Sequence, residues 1–455
     1  MGGAGAKAGA GGVAGTGAKA GAGAAGAGAG GASAGAAGTG GAAGAPKGGS
    51  GGAAGSSGAA GSAGAGGSAI TTLIRVHYPV APGSTLAIRG DAGALTWTAG
   101  APMKAEANDT WTYATTAIDK PAELKPLLDD TTWSRGPNYH VAPGATVDLY
   151  PHFTTTAGKV TLYAAAFHST KLKDDRPVWA YLPPTYVENA KAFLPVVYMH
   201  DGQNLFGQPG GFGDWKVDVT MDAAAEDGSI REAIVIGVGN TPARIWEYTP
   251  TFDASTNDGG GADAYLALLA TELKPKVDTD LRTLPGRETT ALVGSSLGGL
   301  LSAYGGLKQP STWGLVGAMS PSTWWDNEVI TADVKASSSA TLRALRVYVD
   351  SGDSGPSNDD VTQTKGLADA YAGVGYTLGK DLSYVVQAGG QHSETYWAQR
   401  LPGALAFLLG PRPDLRGMLP RWGWTSSKET CCSASTASSG SSAVVRWGSW
   451  SAPST

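Results

Sequence analysis

Three residue types in this 455-residue chain could combine into nucleophilic chemistry: a serine on a tight turn, a histidine downstream of it, and an acid between them. The stretch 289–300 reads as an apolar, partly β-branched strand, a turn of small residues, and the start of a helix. Its turn spells Gly294-Ser295-Ser296-Leu297-Gly298. A serine on so sharp a strand-to-helix turn is pushed above the sheet edge, where its hydroxyl can reach a substrate. Gly294 and Gly298 are expected because a Cβ at either place would collide with neighbouring backbone. The backbone N–H of Leu297, at the N-terminus of the new helix, points to where an oxyanion would form. The same five-residue pattern occurs at Gly31–Gly35 and Gly48–Gly52, but inside a tract with no strand or helix signal, so only the Ser296 copy has mechanical meaning.

A serine hydroxyl is a poor nucleophile until a base takes its proton, and the base needs an orienting acid. On such an elbow the chain order is serine, acid, histidine. Of the six histidines, His77, His140, His152, His168 and His200 precede Ser296, which leaves His392 as the expected base. It sits in Gly389-Gly390-Gln391-His392, a flexible loop after the last apolar strand. The acid should lie between the strand ending at Val349 and the helix starting near Val361, where Asp350, Asp353, Asp359 and Asp360 all qualify. Asp359 is preferred, with Asp353 and Asp360 as alternatives; Asp359 and Asp360 could equally be N-caps. A second oxyanion donor is expected from the backbone of Gln203, in the loop Met199–Asn204. His200, which precedes the nucleophile, is expected to brace that loop.

The elements that must position these groups are strands alternating with helices between about residues 158 and 410. The runs 195–199, 233–238, 291–293, 315–319, 345–349 and 382–386 are short and mostly apolar on both faces, as buried parallel strands are. Amphipathic runs 264–281, 361–372 and 394–408 separate them. Alternation of this kind predicts a mostly parallel sheet flanked by helices, with ligands at the carboxyl ends of the strands, where Ser296 falls.

Before this domain, residues 69–153 carry short alternating strands (73–78, 85–89, 110–116, 124–128, 145–150) punctuated by Pro82-Gly83, Gly90-Asp91, Asn108-Asp109 and Pro143-Gly144. They predict a small antiparallel β-sandwich. The layout resembles immunoglobulin-like modules that bind starch or other glycans. Trp97, Trp111 and Trp133 either stack on sugar rings or fill the sandwich core. Residues 1–68 are nearly all Gly, Ala, Ser and Thr and cannot bury enough apolar surface to fold, so they read as a flexible tether. Residues 411–455 read as a disordered tail. Its adjacent Cys431 and Cys432 could bridge only with strain, and no structural role is expected of them.

The net charge is −5 with no basic cluster, which argues against a nucleic-acid partner. No apolar run is long enough to span a bilayer. No signal peptide is legible at the N-terminus, and a secreted or cell-envelope location stays open. No cofactor is required, and the histidines suggest no zinc cluster.

Residues 167–409 resemble the esterase D / enterobactin-esterase-like group of α/β-hydrolases, which includes feruloyl and acetyl-xylan esterases, siderophore esterases and mycolyltransferases. The matching segments are Val178–Pro184, Tyr198–Phe206, Gly239-Asn240 with Arg244 and Glu247–Pro250, Gly294–Gly299, Ser320–Trp325 and Gly390–His392. The resemblance implies an α/β-hydrolase fold. It casts Ser296 as nucleophile, His392 as base, Leu297 and Gln203 as oxyanion donors, and Arg244 with Glu247 as a pair framing the pocket. The loop after Gly352 is longer than the family's, which leaves the acid open. Trp324, Trp325 and Trp397 are expected to line the pocket, with core packing the alternative for each. The implied activity is serine-dependent hydrolysis of acyl or aromatic esters of carbohydrates, or of a siderophore-type ester. The substrate would be a small molecule or a polysaccharide. The rivals are acyl transfer with the same residues and non-catalytic glycan binding.

Overall fold

Short strands that are mostly apolar on both faces need helices to cover both sides of the sheet they form. The computed structural model of the chain, which describes residues 70–207, 213–338 and 345–415, bears this out. The tether expected over 1–68, Cys431, Cys432 and residues 416–455 lie outside the described residues.

Eight strands form the central sheet: β1 (Lys159–Ser169), β2 (Asp174–Leu182), β3 (Val196–Met199), β4 (Ile234–Val238), β5 (Thr290–Ser296), β6 (Leu315–Pro321), β7 (Arg346–Gly352) and β8 (Leu382–Gln387). Their order is β1-β2-β4-β3-β5-β6-β7-β8. From β4 through β8 neighbours run parallel, whereas β2 is antiparallel to both β1 and β4. The architecture is α/β-hydrolase-like. All six expected parallel strands are present. The hairpin of β1 and β2 was not anticipated, because β1 lies at the sheet edge with many half-exposed positions and lacks a continuous apolar run.

Alternate residues serve opposite faces. Tyr198, Ile236, Leu292, Val316 and Val347 join one core cluster, while Val197, Val235, Val293, Met319 and Tyr348 join the other. The second face is covered by α1 (Val217–Asp227) and, further on, by the chain's last long helix. The first face takes the helical stretch Ala262–Asp280 and several others. In order after α1, these include α2 (Arg244–Tyr248), α3 (Leu297–Lys308), α4 (Trp325–Ala336) and α5 (Val361–Gly373); the last long helix is α6 (Glu394–Leu409).

Residues 72–149 build two further sheets. One contains Lys104–Ala105, Thr110–Thr115, Thr72–His77 and Thr146–Leu149. The other contains Ala101–Pro102, Leu86–Gly90, Ala122–Leu128 and Thr132–Trp133, with Tyr139–Val141 paired to Ala122–Leu128. They share a core that includes Ile74, Val76, Leu86, Ile88, Leu124 and Leu149. Trp111 packs against that core, whereas Trp97 and Trp133 are exposed with ring centroids 6.2 Å apart.

This β-module is bonded to the α/β domain. The Glu188 carboxylate accepts from the backbone N–H groups of Phe153, Thr154 and Thr155 and from the Tyr78 hydroxyl. Burial raises its pKa, but those donors outweigh it and hold the carboxyl down at about 2. At the far end Arg412 donates to the carbonyls of Pro137 and Asn138, and Asp414 accepts from His140 N. Regular contacts therefore continue to Leu415, past the expected boundary at residue 410, because Arg412 and Asp414 find partners that only the fold brings near.

Candidate active site

The carboxyl ends of β3, β5, β6, β7 and β8 bring the singled-out residues to one edge of the sheet. At the end of β5, Ser296 takes φ 57° and ψ −126°, a conformation that an L-residue adopts only at a cost of order 1–3 kcal/mol. The strain follows from the abrupt switch from strand to α3. A Cβ on Gly294 would lie 2.7 Å from His200 Cδ2 and 2.8 Å from Gly298 C, so no side chain fits there. Gly298 is less constrained than expected, its Cβ position being 3.3 Å from His200 Cβ; the tighter approach belongs to Gly299, whose Cβ would meet Met319 O at 2.9 Å. Leu297 is the first residue of α3, so its N–H has no acceptor within the helix and faces the strand end.

After β3 the chain turns through Asp201 at φ 55° into a single 3-10 turn, Gly202–Asn204. Gly202 makes this possible, because its Cβ would sit 2.5 Å from Gly237 C. Gln203 thereby reaches the same edge, its side-chain oxygen accepting from Asn240 N at 3.3 Å. His200 is buried beneath the elbow. Burial drives its pKa down to about 3 against the pull of Asp201, so the imidazole is neutral. Its Nδ1 lies 3.4 Å from the Tyr265 hydroxyl, and its Nε2 has no hydrogen-bond partner among the described residues. It packs under the elbow against Gly294 and Gly298.

The loop after β8 carries His392. Its Nδ1 lies 2.6 Å from Asp359 Oδ1, with the carboxylate fully buried and the imidazole about one-third exposed. The other carboxylate oxygen of Asp359 accepts from Ser320 Oγ at 2.6 Å and Gly352 N at 2.5 Å. Burial would raise the Asp359 pKa, but bonds from His392, Ser320 and Gly352 outweigh it and leave the group below the ordinary carboxylate range. Asp353 instead accepts from Gly389 N, fastening the histidine loop. Asp360 occupies the N-cap position of α5 without a side-chain bond to it. Asp350 accepts from Ser320 N and pairs with Arg400. Ser296 Oγ lies 3.3 Å from Ser322 Oγ; among the described residues no hydrogen bond joins it to His392.

The remaining expectations separate. Arg244 does not pair with Glu247: it grips Asp201 through two bonds of 2.7 and 2.8 Å, while Glu247 is buried against Arg176. The family resemblance implied the first pairing, but each side chain finds a closer partner on another element. Trp324 is exposed. Trp325, expected beside it in the pocket, is instead buried, its indole N–H donating to Thr251 O. Trp397 is also buried, edge-on to His392 with centroids 5.0 Å apart.

Sequence reasoning gave no role to Ser320, Ser322 or Arg400. Arg400 left one visible signal, a charge on the otherwise apolar stripe Trp397, Leu401, Ala404, Leu405 and Leu408 of α6. No group of three or more His, Cys, Asp or Glu among the described residues is placed to hold a metal. No described helix is long and apolar enough to cross a membrane. A cleft of about 540 Å³, lined by Arg231, Glu288, Arg346 and Asp381 among others, opens at the amino ends of the strands, opposite Ser296.

Residues 169–408, more than half of the chain, match a family model described as "Putative esterase". An uncharacterised Bacillus subtilis protein, YbbA, is 27% identical over 241 residues, covering 50% of this chain and 91% of its own length. The siderophore triacetylfusarinine C esterase of Aspergillus fumigatus is 27% identical over 31% of this chain and 49% of its own. The iron(III) salmochelin esterase of Escherichia coli is 30% identical over 34% of each. The chain thus spans half or less of these two named esterases. Among solved structures, a ferulic acid esterase aligns at TM-score 0.44 and 19% identity, over 56% of this chain and 98% of that one. The enterobactin esterase of Shigella flexneri aligns at TM-score 0.43 and 16% identity, over 71% and 88%. By the family match, this chain belongs to the esterase family, a family of carboxylic-ester hydrolases.

Proposed function

We propose that the chain hydrolyses esters by a two-step serine mechanism in which Ser296 is the nucleophile, His392 the general base and Asp359 the orienting acid. The observation that carries this reading is the 2.6 Å contact between His392 Nδ1 and Asp359 Oδ1 at the same sheet edge as the strained Ser296. A carboxylate on Nδ1 fixes the tautomer that leaves Nε2 free to accept a proton. Ser296 Oγ attacks the ester carbonyl while His392 takes its proton. The Leu297 and Gln203 amides hold the developing oxyanion. His392 then protonates the departing alcohol and activates the water that releases the acid. The resting bond from Ser296 to Ser322 is broken as the hydroxyl turns to His392; such contacts commonly tighten only once substrate is bound.

The substrate is a small-molecule ester. The names of the relatives favour a siderophore-type ester over the acyl or aromatic carbohydrate esters that the sequence also suggested. Arg244, one-quarter exposed beside Asp201, and exposed Trp324 are the groups available to contact it. The two facing sheets of residues 72–149 support an immunoglobulin-like sandwich, and exposed Trp97 and Trp133 are its candidate glycan contacts.

The test is active-site labelling with a fluorophosphonate, together with p-nitrophenyl acetate hydrolysis, on wild type and Ser296→Ala. Labelling and turnover that vanish together in the variant are expected. A folded wild type that neither labels nor hydrolyses would refute the reading.

A further inference from the structure

A buried, densely bonded charged cluster lies behind Asp359, on elements far apart in sequence. Ser320, at the end of β6, donates from Oγ to Asp359 Oδ2 at 2.6 Å. The same oxygen accepts from Arg400 Nη2 at 2.6 Å and from Trp397 Nε1 at 3.0 Å, both on α6. A hydroxyl has one proton and two lone pairs. With both lone pairs engaged by obligate donors, the proton has a single direction left, toward Asp359. Ser320 is buried, as are Asp350, Asp359 and Arg400. Arg400 also lies 3.0 Å from Asp350 Oδ2 and 3.6 Å from Asp359 Oδ2, and Asp350 accepts from Ser320 N at 3.0 Å. One arginine thus serves two buried carboxylates that would otherwise repel each other.

Resting on the triad proposed above, we infer that Arg400 and Ser320 are positioning residues: Arg400 holds the Ser320 hydroxyl so that its proton goes to Asp359 Oδ2, and Oδ1 is left solely for His392. Gly352 N supplies the second donor to Oδ2. A carboxylate held at both ends cannot rotate about its Cβ–Cγ bond, and His392 inherits that fixed direction. Trp397 contributes twice, orienting the Ser320 hydroxyl and standing edge-on to the His392 ring. The cluster of Asp350, Asp359 and Arg400 carries one net negative charge when both acids are ionised. That charge is matched only when His392 becomes an imidazolium, as it does in the tetrahedral step. Buried charges without such a partner are costly, which places the stabilisation in the transition state rather than in substrate binding.

The test compares full-length wild type, Ser296→Ala, Ser320→Ala and Arg400→Lys in kcat and KM. The same panel is examined for the downfield proton resonance of His392 Nδ1–H. Ser320→Ala removes one oxygen and is expected to lower kcat by about ten- to a hundredfold, with KM within about twofold, as misplacement of a catalytic group does. Its histidine resonance is expected to shift or broaden beyond detection. Arg400→Lys, which keeps the charge but lacks the forked donors, should do the same if it folds. Should it not fold, Ser320→Ala alone decides. A folded Ser320→Ala with wild-type kcat and an unmoved resonance would overturn the positioning role while leaving the triad standing. A wild type without turnover that Ser296→Ala abolishes would overturn the triad, and this role with it.

Discussion

His200 gives a prediction whose size follows chiefly from burial. Its folded pKa of about 3 lies below the ordinary 6.5. Above about pH 6.5 the imidazole is neutral both folded and unfolded, and nothing is lost. As pH falls from there, the unfolded chain takes up a proton that the folded chain refuses, so stability declines until the folded pKa is reached. The slope is about 1.4 kcal/mol per pH unit, which amounts to about 2.7 kcal/mol by about pH 4.5. Carboxylates also titrate over that range, so the assay must isolate the histidine. Urea unfolding of wild type and His200→Gln at a series of pH values does so, because the other groups cancel in the difference. The stability advantage of wild type should shrink by about 2.7 kcal/mol between about pH 7.5 and about pH 4.5. Parallel curves would refute the reasoning, since they would mean that His200 protonates within the fold.

Three further predictions follow from the site and its supports. Asp359→Asn should lower kcat by about three to four orders of magnitude while Asp353→Asn and Asp360→Asn stay within about tenfold of wild type, as read by p-nitrophenyl acetate turnover. Gly294→Ala should destabilise by about 1–3 kcal/mol or more, because the new methyl meets His200 and the Gly298 backbone; a lowered melting temperature checks it. Glu188→Ala strips the acceptor from three backbone N–H groups and should cost about 2–4 kcal/mol, with faster amide exchange at Phe153, Thr154 and Thr155. Because the Glu188 pKa is depressed to about 2, its contribution is present above the ordinary carboxylate range and lost as pH falls through about 2.

Local pattern was enough to determine a good deal of this protein. Mostly apolar runs marked β3 to β8, since strands of a sheet covered by helices on both sides carry few polar positions to blur the signal. The small residues around Ser296 marked the elbow, because only they permit so tight a turn, and chain order singled out His392. Local pattern preferred Asp359 as the acid but left Asp353 and Asp360 open. Four aspartates fall between residues 350 and 360, three of them in one loop, and which of them meets His392 depends on how the loop between β7 and α5 folds back against β6 and α6. Only tertiary structure puts Asp359 Oδ1 against His392 and turns Asp353 to Gly389. The same holds for Arg244 and Glu247, which the family resemblance cast as a pair but whose partners, Asp201 and Arg176, lie 43 and 71 residues away. Trp324 and Trp325 are neighbours in sequence yet one is exposed and the other buried. Sequence spacing fixes which residues share a strand or a helix face. Electrostatic pairing and burial are decided by elements that meet only when the chain closes.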